Sequence, residues 1–137
     1  ERELRPGDVV VDIGAHVGVH ALTAARRLRE LGGGRVVAFE PAATAPMRVF
    51  DDWAAEDGLD RLDVVKLDVE GAELLALRGM RETLRRLRPR LVVVEVKDVV
   101  MQRGPGDEAS LHALMAECGY VATGQVVKHN EVFRLVG

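Results

Sequence analysis

Two short stretches of the chain carry residues suited to holding a nucleotide-like cofactor. An apolar run leads through Asp12 into a loop that contains Gly14 and Gly18, and a second apolar run ends in Glu40. In open α/β sheets, a glycine loop between a strand and a helix holds a nucleoside-bearing cofactor, and an acid after the next strand accepts its ribose hydroxyls. The pair therefore predicts a cofactor site. The alternative interpretation of the glycines alone is a tight structural turn.

Asp68 and His16 are the candidate catalytic residues. Asp68 follows an apolar run, and the end of a parallel strand is where α/β proteins bind ligands. It can orient an acceptor, act as a base or contact a cofactor amine, and the alternative is an N-cap for a helix that begins near Gly71. His16 lies in the glycine loop, and an imidazole is a natural general base near neutral pH. His20, one turn into the following helix, is expected to pack or face solvent.

Metal binding is considered and not predicted. Glu70 and Glu73 at a helix start, with Glu95 after the next strand, have ligand types that suit a divalent cation. Acidic side chains in a first turn also complement the helix dipole, and this simpler interpretation is favoured. We expect His112 and His129 to be surface residues, so no His/Cys site is predicted either.

Strands and helices alternate along the chain, which predicts an α/β fold in which these residues meet at the carboxyl ends of the strands. The predicted strands are 8–13, 35–39, 62–67 and 91–96, followed by a hairpin of 120–127 and 131–136. The predicted helices are 18–31, 49–56, one from near 71 to 87, and 108–118, with a loop over 97–107.

Composition indicates one domain, residues 1–137, with enough apolar side chains for a core. Hydrophobic residues make up 47% of the chain and charged residues 30%, and the net charge of −3 gives no sign of nucleic-acid or membrane binding. The arginines of residues 81–90 are interpreted as a solvated helix face. Cys118 is the single cysteine and falls in an apolar row, so we expect it in the core. Because one cysteine cannot form an internal disulfide, we also expect a cytoplasmic protein. No membrane span or signal peptide is predicted.

The segments 9–18, 38–41 and 65–73 together resemble the FkbM-type family of S-adenosylmethionine-dependent methyltransferases, and the likeness covers nearly the whole chain. The third segment, with Asp-Val-Glu-Gly-Ala-Glu at 68–73, is the most family-specific. The resemblance implies a Rossmann-like class I methyltransferase fold, a three-layer sandwich whose mostly parallel sheet has an antiparallel last strand. It also implies O-methylation of a hydroxyl on a sugar or natural product. The implied cofactor contacts are Asp12, which would receive the cofactor's amino group, Gly14, Ala15, His16, Gly18, Glu40 and Asp68, with the acceptor near Asp68.

The chain departs from the family pattern at two places. The family usually has asparagine at the position of His16. Between Glu40 and Arg48, relatives carry about one more helix and strand. The predicted sheet order starts with the strand of Glu40, continues with those of Asp12, Asp68 and Glu95, and closes with the hairpin, its last strand innermost. A missing edge strand would expose the strand of Glu40 and favour a homodimer.

Two other functions stay open at this stage. A shortened domain can keep the methyltransferase fold without catalysis. An NAD-binding oxidoreductase also uses a glycine loop and an acid for the ribose. It is disfavoured because the spacing from Gly14 to Gly18 lacks the G-x-G-x-x-G pattern.

Overall fold

The computed structural model describes residues 3–40, 48–96 and 108–136. Helices and strands alternate through most of this part of the chain. In order they are β1 (Val9–Ile13), α1 (Val19–Glu30), β2 (Arg35–Phe39), α2 (Phe50–Glu56), β3 (Val64–Leu67), α3 (Glu73–Arg78), α4 (Arg81–Leu87), β4 (Leu91–Glu95), α5 (Glu108–Glu117), β5 (Tyr120–Val127) and β6 (Asn130–Leu135).

One six-stranded sheet runs through the molecule in the order β2-β1-β3-β4-β6-β5, which confirms the predicted order. The first four strands of this order are parallel, and β6 is antiparallel to both β4 and β5. The carboxyl ends of β1 to β4 therefore meet at one edge of the sheet. Asp12 on β1 lies opposite Lys66 on β3 and Ala38 on β2 at this edge.

Both faces of the sheet are covered, which is why its strands are nearly continuous apolar runs. Side chains such as Val11, Val65 and Val92 pack into the larger core cluster with residues of α2 to α5. Val10, on the opposite face, packs in a smaller cluster with Leu28 of α1. Because side chains alternate along a strand, Asp12 points to the same face as Val10.

The prediction of a single helix between residues 71 and 87 is wrong, because the structure has two helices there. They are separated by Gly79 and Met80, and Met80 has a non-helical φ of −121°. Glycine is a poor helix former. Asp51 of α2 also accepts hydrogen bonds from the amides of Glu82 (3.1 Å) and Thr83 (2.8 Å). A side chain from another helix therefore caps the N-terminus of α4, which stabilises α4 as a separate helix.

The remaining predicted elements are confirmed, with ends that shift by one or two residues. Two features of the prediction, the loop over 97–107 and the junction at Pro46 and Met47, lie outside the described residues. Among the helices that the structure describes, none has the length and apolar character needed to cross a bilayer.

Arg90 corrects the interpretation of the arginine run as a solvated face. Its guanidinium donates to both oxygens of the buried Asp8, at 3.1 and 2.6 Å, and also to the carbonyl of Glu3. This bidentate pair ties the start of β4 to the start of β1. It lies at the edge of the sheet opposite the candidate site.

Candidate functional site

The glycine loop after β1 folds over the end of β2. The amides of Gly14 and Ala15 both donate to the Phe39 carbonyl, each at 2.9 Å, and the amide of His16 donates to the Glu40 carboxylate. These bonds hold Glu40 beside the loop although its side chain is otherwise exposed. The predicted partners, loop and acid, are therefore brought together.

Gly14 is required by close packing within the protein. A Cβ atom at this position would lie 1.5 Å from the carbonyl oxygen of Asp68, and its φ of +87° already favours glycine. The close approach is to the end of β3, so the loop of β1 and the segment after β3 are in contact. Gly18, with φ +84°, has no such crowding and serves as the N-cap of α1.

His16 also has a positive φ, of +48°, and its side chain is exposed. Asparagine and histidine are among the residues that tolerate this left-handed conformation best. The left-handed backbone at this position therefore explains why histidine can stand where the family pattern has asparagine. Its role as a base stays a prediction.

Asp12, Lys66 and Asp68 form a charged cluster at the ends of β1 and β3. The ammonium of Lys66 donates to Asp68 at 3.0 Å and lies 3.9 Å from the nearer oxygen of Asp12. Asp12 is only 2% exposed, and within the described residues neither of its side-chain oxygens has a partner at good hydrogen-bond geometry, although the amide of Ala21 and the ammonium of Lys66 lie near enough to stabilise its charge. Burial raises the pKa of Asp12, and the nearby charge of Lys66 partly opposes this.

Sequence reasoning missed Lys66. The signal was present, because Lys66 lies in the family-specific segment two residues before Asp68, on a strand expected to pair with that of Asp12. An inward-facing lysine at the end of a buried strand indicates a paired charge.

Asp68 is not an N-cap, since α3 begins five residues further on, at Glu73, with Ala72 as its N-cap. The loop between them is held by Glu73, whose buried carboxylate accepts the amides of Val69 (3.0 Å) and Gly71 (3.0 Å). Glu73 therefore has a structural role in positioning Asp68. The helix-dipole interpretation of Glu73 is incomplete, because its main partners are these two loop amides.

The acidic group considered for a metal changes its membership in the structure. Asp68, Glu70 and Glu95 place one carboxylate oxygen each within 4.8 Å of one another, whereas Glu73 faces its own loop. Exposed acidic groups often gather in this way without an ion. The cluster supports no metal assignment by itself.

Trp53 anchors α2 on the sheet. Its ring lies 4.7 Å from that of Phe39 and 5.4 Å from that of Phe50, measured between centroids. Phe39 directly precedes Glu40, so this aromatic group supports the end of β2.

Cys118 is buried, as predicted, and burial raises the pKa of its thiol.

Comparison with known proteins places the chain among methyltransferases. A family model described as the methyltransferase FkbM domain matches residues 42–122, more than half of the chain. The 2-O-methyltransferase NoeI of Sinorhizobium fredii is 34% identical over 68 residues, which are 50% of this chain and 27% of that protein. The chain thus spans about a quarter of the length of this curated relative.

Two solved structures share the fold. A SAM-dependent methyltransferase from Aquifex aeolicus is 18% identical with a TM-score of 0.53, over 95% of this chain and 81% of the other. A release factor-specific protein-(glutamine-N5) methyltransferase from Alicyclobacillus acidocaldarius is 19% identical with a TM-score of 0.57, over 98% and 84%. At these identities the likeness shows the fold alone, a Rossmann-like class I methyltransferase fold.

Proposed function

The chain belongs to the FkbM methyltransferase family, and from this premise we propose that it transfers a methyl group from S-adenosylmethionine to a hydroxyl of a small molecule. The observation that carries the proposal is the carboxylate of Asp12. It is buried at the edge of the sheet where the carboxyl ends of β1 to β4 meet, which we call the cofactor edge, and in the described part of the chain it has no partner at good hydrogen-bond geometry. A buried charge is costly unless it is paired and hydrogen-bonded, and Lys66, at 3.9 Å, compensates Asp12 only in part, so a cationic ligand that donates to Asp12 would stabilise it further.

The residues at this edge fit each polar part of S-adenosylmethionine. Asp12 is the partner for the ammonium group of the cofactor. The N-terminal turn of α1, which contains no acidic residue, favours its carboxylate. Glu40 has lone pairs left for the ribose hydroxyls after accepting the His16 amide, because a carboxylate offers about four acceptor positions. Gly14, Ala15 and Gly18 shape the loop between these groups.

In this proposal, Asp68 orients the acceptor and receives its proton. When bound, the cofactor supplies an electrophilic methyl group on a sulfonium. The protein must then orient the acceptor oxygen for in-line attack and receive its proton. The Asp68 carboxylate is half-buried, and its bond to Lys66 fixes its position. His16, exposed on the neighbouring loop, is the second candidate base.

A hydroxyl acceptor is favoured by the relative that carries a 2-O-methyltransferase name. The net charge of −3 gives no reason to expect a nucleic acid or a membrane as the partner. We therefore propose a small hydroxylated molecule, a sugar or natural product, as the acceptor class. A cytoplasmic location stays part of the proposal.

The test is methyl transfer from labelled S-adenosylmethionine to a panel of sugars and hydroxylated natural products. Asp68→Asn should lower kcat by about 100-fold or more, the range of general acid–base catalysis, with little change in affinity for S-adenosylhomocysteine. Asp60→Asn, at an exposed position away from the edge, is the matched control and should leave both unchanged.

Three outcomes would contradict the proposal. Equal losses of kcat and cofactor affinity in Asp68→Asn would make Asp68 a cofactor contact instead of an acceptor residue. Binding of S-adenosylhomocysteine without turnover on any hydroxylated acceptor would favour the shortened, non-catalytic domain. Saturable binding of NADH in its place would favour the oxidoreductase.

A further inference from the structure

Three side chains with metal-binding atoms meet where α5 packs against the sheet, toward the carboxyl end of β4 but on the face of the sheet opposite α1. Glu108 and His112 lie one turn apart on α5, and Glu131 lies on β6. One ligand atom of each falls within 4.8 Å of the others. The Nε2 atom of His112 lies 2.9 Å from a carboxylate oxygen of Glu131 and 3.9 Å from one of Glu108.

The charges of this group are unbalanced. Two carboxylates face a single imidazole nitrogen, which carries at most one proton. Among residues 3–40, 48–96 and 108–136, no lysine or arginine forms an ion pair with either glutamate. The side chain of Glu131 is only 12% exposed, so water solvates its charge poorly. A divalent cation would compensate both carboxylates at once.

The framework around the ligands is rigid. Glu131 is paired with Val94 on one side and Val126 on the other, so its backbone is fixed within the sheet. The ring of His112 packs edge-on against Phe133, with centroids 5.3 Å apart and an interplanar angle of 79°. Glu108 is the most exposed of the three ligands, which leaves an open side for ion entry and for a water ligand.

We propose that Glu108, His112 and Glu131 bind a zinc-type divalent cation that joins α5 to β6. In a tetrahedral site with bonds of about 2.0–2.1 Å, ligand atoms are separated by roughly 3.3 Å. The observed 2.9 and 3.9 Å lie on either side of this value. Small side-chain rotations would bring both into range. One imidazole and two carboxylates are a ligand set that suits Zn²⁺ and similar ions, with water in the fourth position.

The site is independent of the proposed methyl transfer. Its side chains face the larger core cluster, on the side of Phe133, whereas Asp12 faces the side of α1. An ion bound only by the folded chain must raise the midpoint of thermal unfolding. Binding is therefore measurable without activity.

The experiment titrates the metal-free chain with Zn²⁺ by calorimetry and with Co²⁺ by visible absorption, which reports tetrahedral ligation. We expect one equivalent to bind and the midpoint of thermal unfolding to rise. His112→Ala and Glu131→Gln should each weaken binding by about tenfold or more, since even residues behind the ligands contribute that much. His129→Ala, at an exposed position in the β5–β6 turn, is the matched control and should bind as the unaltered chain does.

The competing acidic cluster at the cofactor edge is tested with Glu70→Gln, which should leave binding unchanged. If Glu70→Gln abolishes binding, the ion belongs to that cluster and the proposal is wrong. It is also overturned if millimolar Zn²⁺ fails to bind or if His112→Ala binds equally well, since the three residues would then form an ion pair only. Should His112→Ala fail to fold, Glu108→Gln at the exposed position must show the same loss.

Discussion

Asp12 is a carboxylate held inside the protein next to the ammonium of Lys66, and it links stability to cofactor binding. Burial raises its pKa, so the folded chain keeps the proton to a higher pH than the unfolded chain, in which an aspartate titrates near pH 3.9. The unfolded chain therefore binds fewer protons between pH 3.9 and the raised pKa. The contribution of Asp12 to stability falls as the pH rises through this window.

Asp12→Asn removes the buried charge and should therefore stabilise the ligand-free chain at pH 7, while weakening the binding of S-adenosylhomocysteine. Each pKa unit of upward shift corresponds to about 1.4 kcal/mol of this effect. Urea unfolding of both chains at pH 4 and pH 7 measures the stability, and calorimetry measures the affinity. A variant less stable than the unaltered chain at pH 7 would show that Lys66 stabilises the ionised carboxylate more than burial disfavours it.

At this same scale, the sequence predicted the acids of the site but not their counter-charge. Asp12, Glu40 and Asp68 follow apolar runs, and the ends of neighbouring parallel strands must meet. Lys66 lies within a strand that was expected to pair with the strand of Asp12, and the register of β1 with β3 then sets it opposite Asp12. The role of Glu73 was equally hidden, because its partners are loop amides that no side-chain pattern reveals.

Among the elements, the contact between the glycine loop and the end of β3 decides whether the site forms. Gly14→Ala would place a methyl group 1.5 Å from the Asp68 carbonyl oxygen, and backbone cannot move aside cheaply. We expect a loss of more than about 3 kcal/mol, combining overpacking with the cost of a left-handed alanine. Urea unfolding measures this loss.

Gly58→Ala is the matched control for that substitution. Gly58 also has a positive φ, of +66°, but no atom lies within 4 Å of the Cβ that alanine would add. Its cost should be only the conformational part, about 1–2 kcal/mol. Similar losses in the two variants would mean that the overlap with Asp68 is relieved and that only the positive φ of Gly14 favours glycine there.

Helices and strands could be predicted from the sequence where their apolar pattern was long and periodic. The division of the 71–87 helix could not, because the start of α4 is capped by Asp51 from another helix. Likewise, Arg90 was assigned to a solvated face because its partner, Asp8, lies 82 residues away in sequence. Long-range partners of this kind follow only from the packed fold.

For the molecule as a whole, β2 is the outermost strand of the sheet that the structure describes, paired with β1 alone. An unpaired strand edge is a template for a second copy, and we expect a homodimer that uses it. Light scattering over a range of concentrations should show a dimer, and Ala38→Lys on the exposed side of β2 should make it monomeric. Thr123→Lys, on the edge strand β5, is the control.

A chain that stays monomeric at all concentrations would contradict this assembly. A dimer abolished by Thr123→Lys and kept by Ala38→Lys would instead place the contact on β5. Sheet order was predictable at this scale because the family resemblance fixed it. The oligomeric state was not predictable in the same way, because it depends on how the edge of β2 is covered.

The most direct test of the cofactor site is calorimetric titration of the chain with S-adenosylhomocysteine, comparing the unaltered chain with Glu40→Ala. We predict saturable binding of one ligand per chain. The variant should stay folded and bind roughly 10- to 150-fold more weakly, because bonds of the ribose hydroxyls to a carboxylate are worth about 1.5–3 kcal/mol. Equal affinity of the two folded chains, or no binding by either, would contradict the assignment of this sheet edge as the cofactor site.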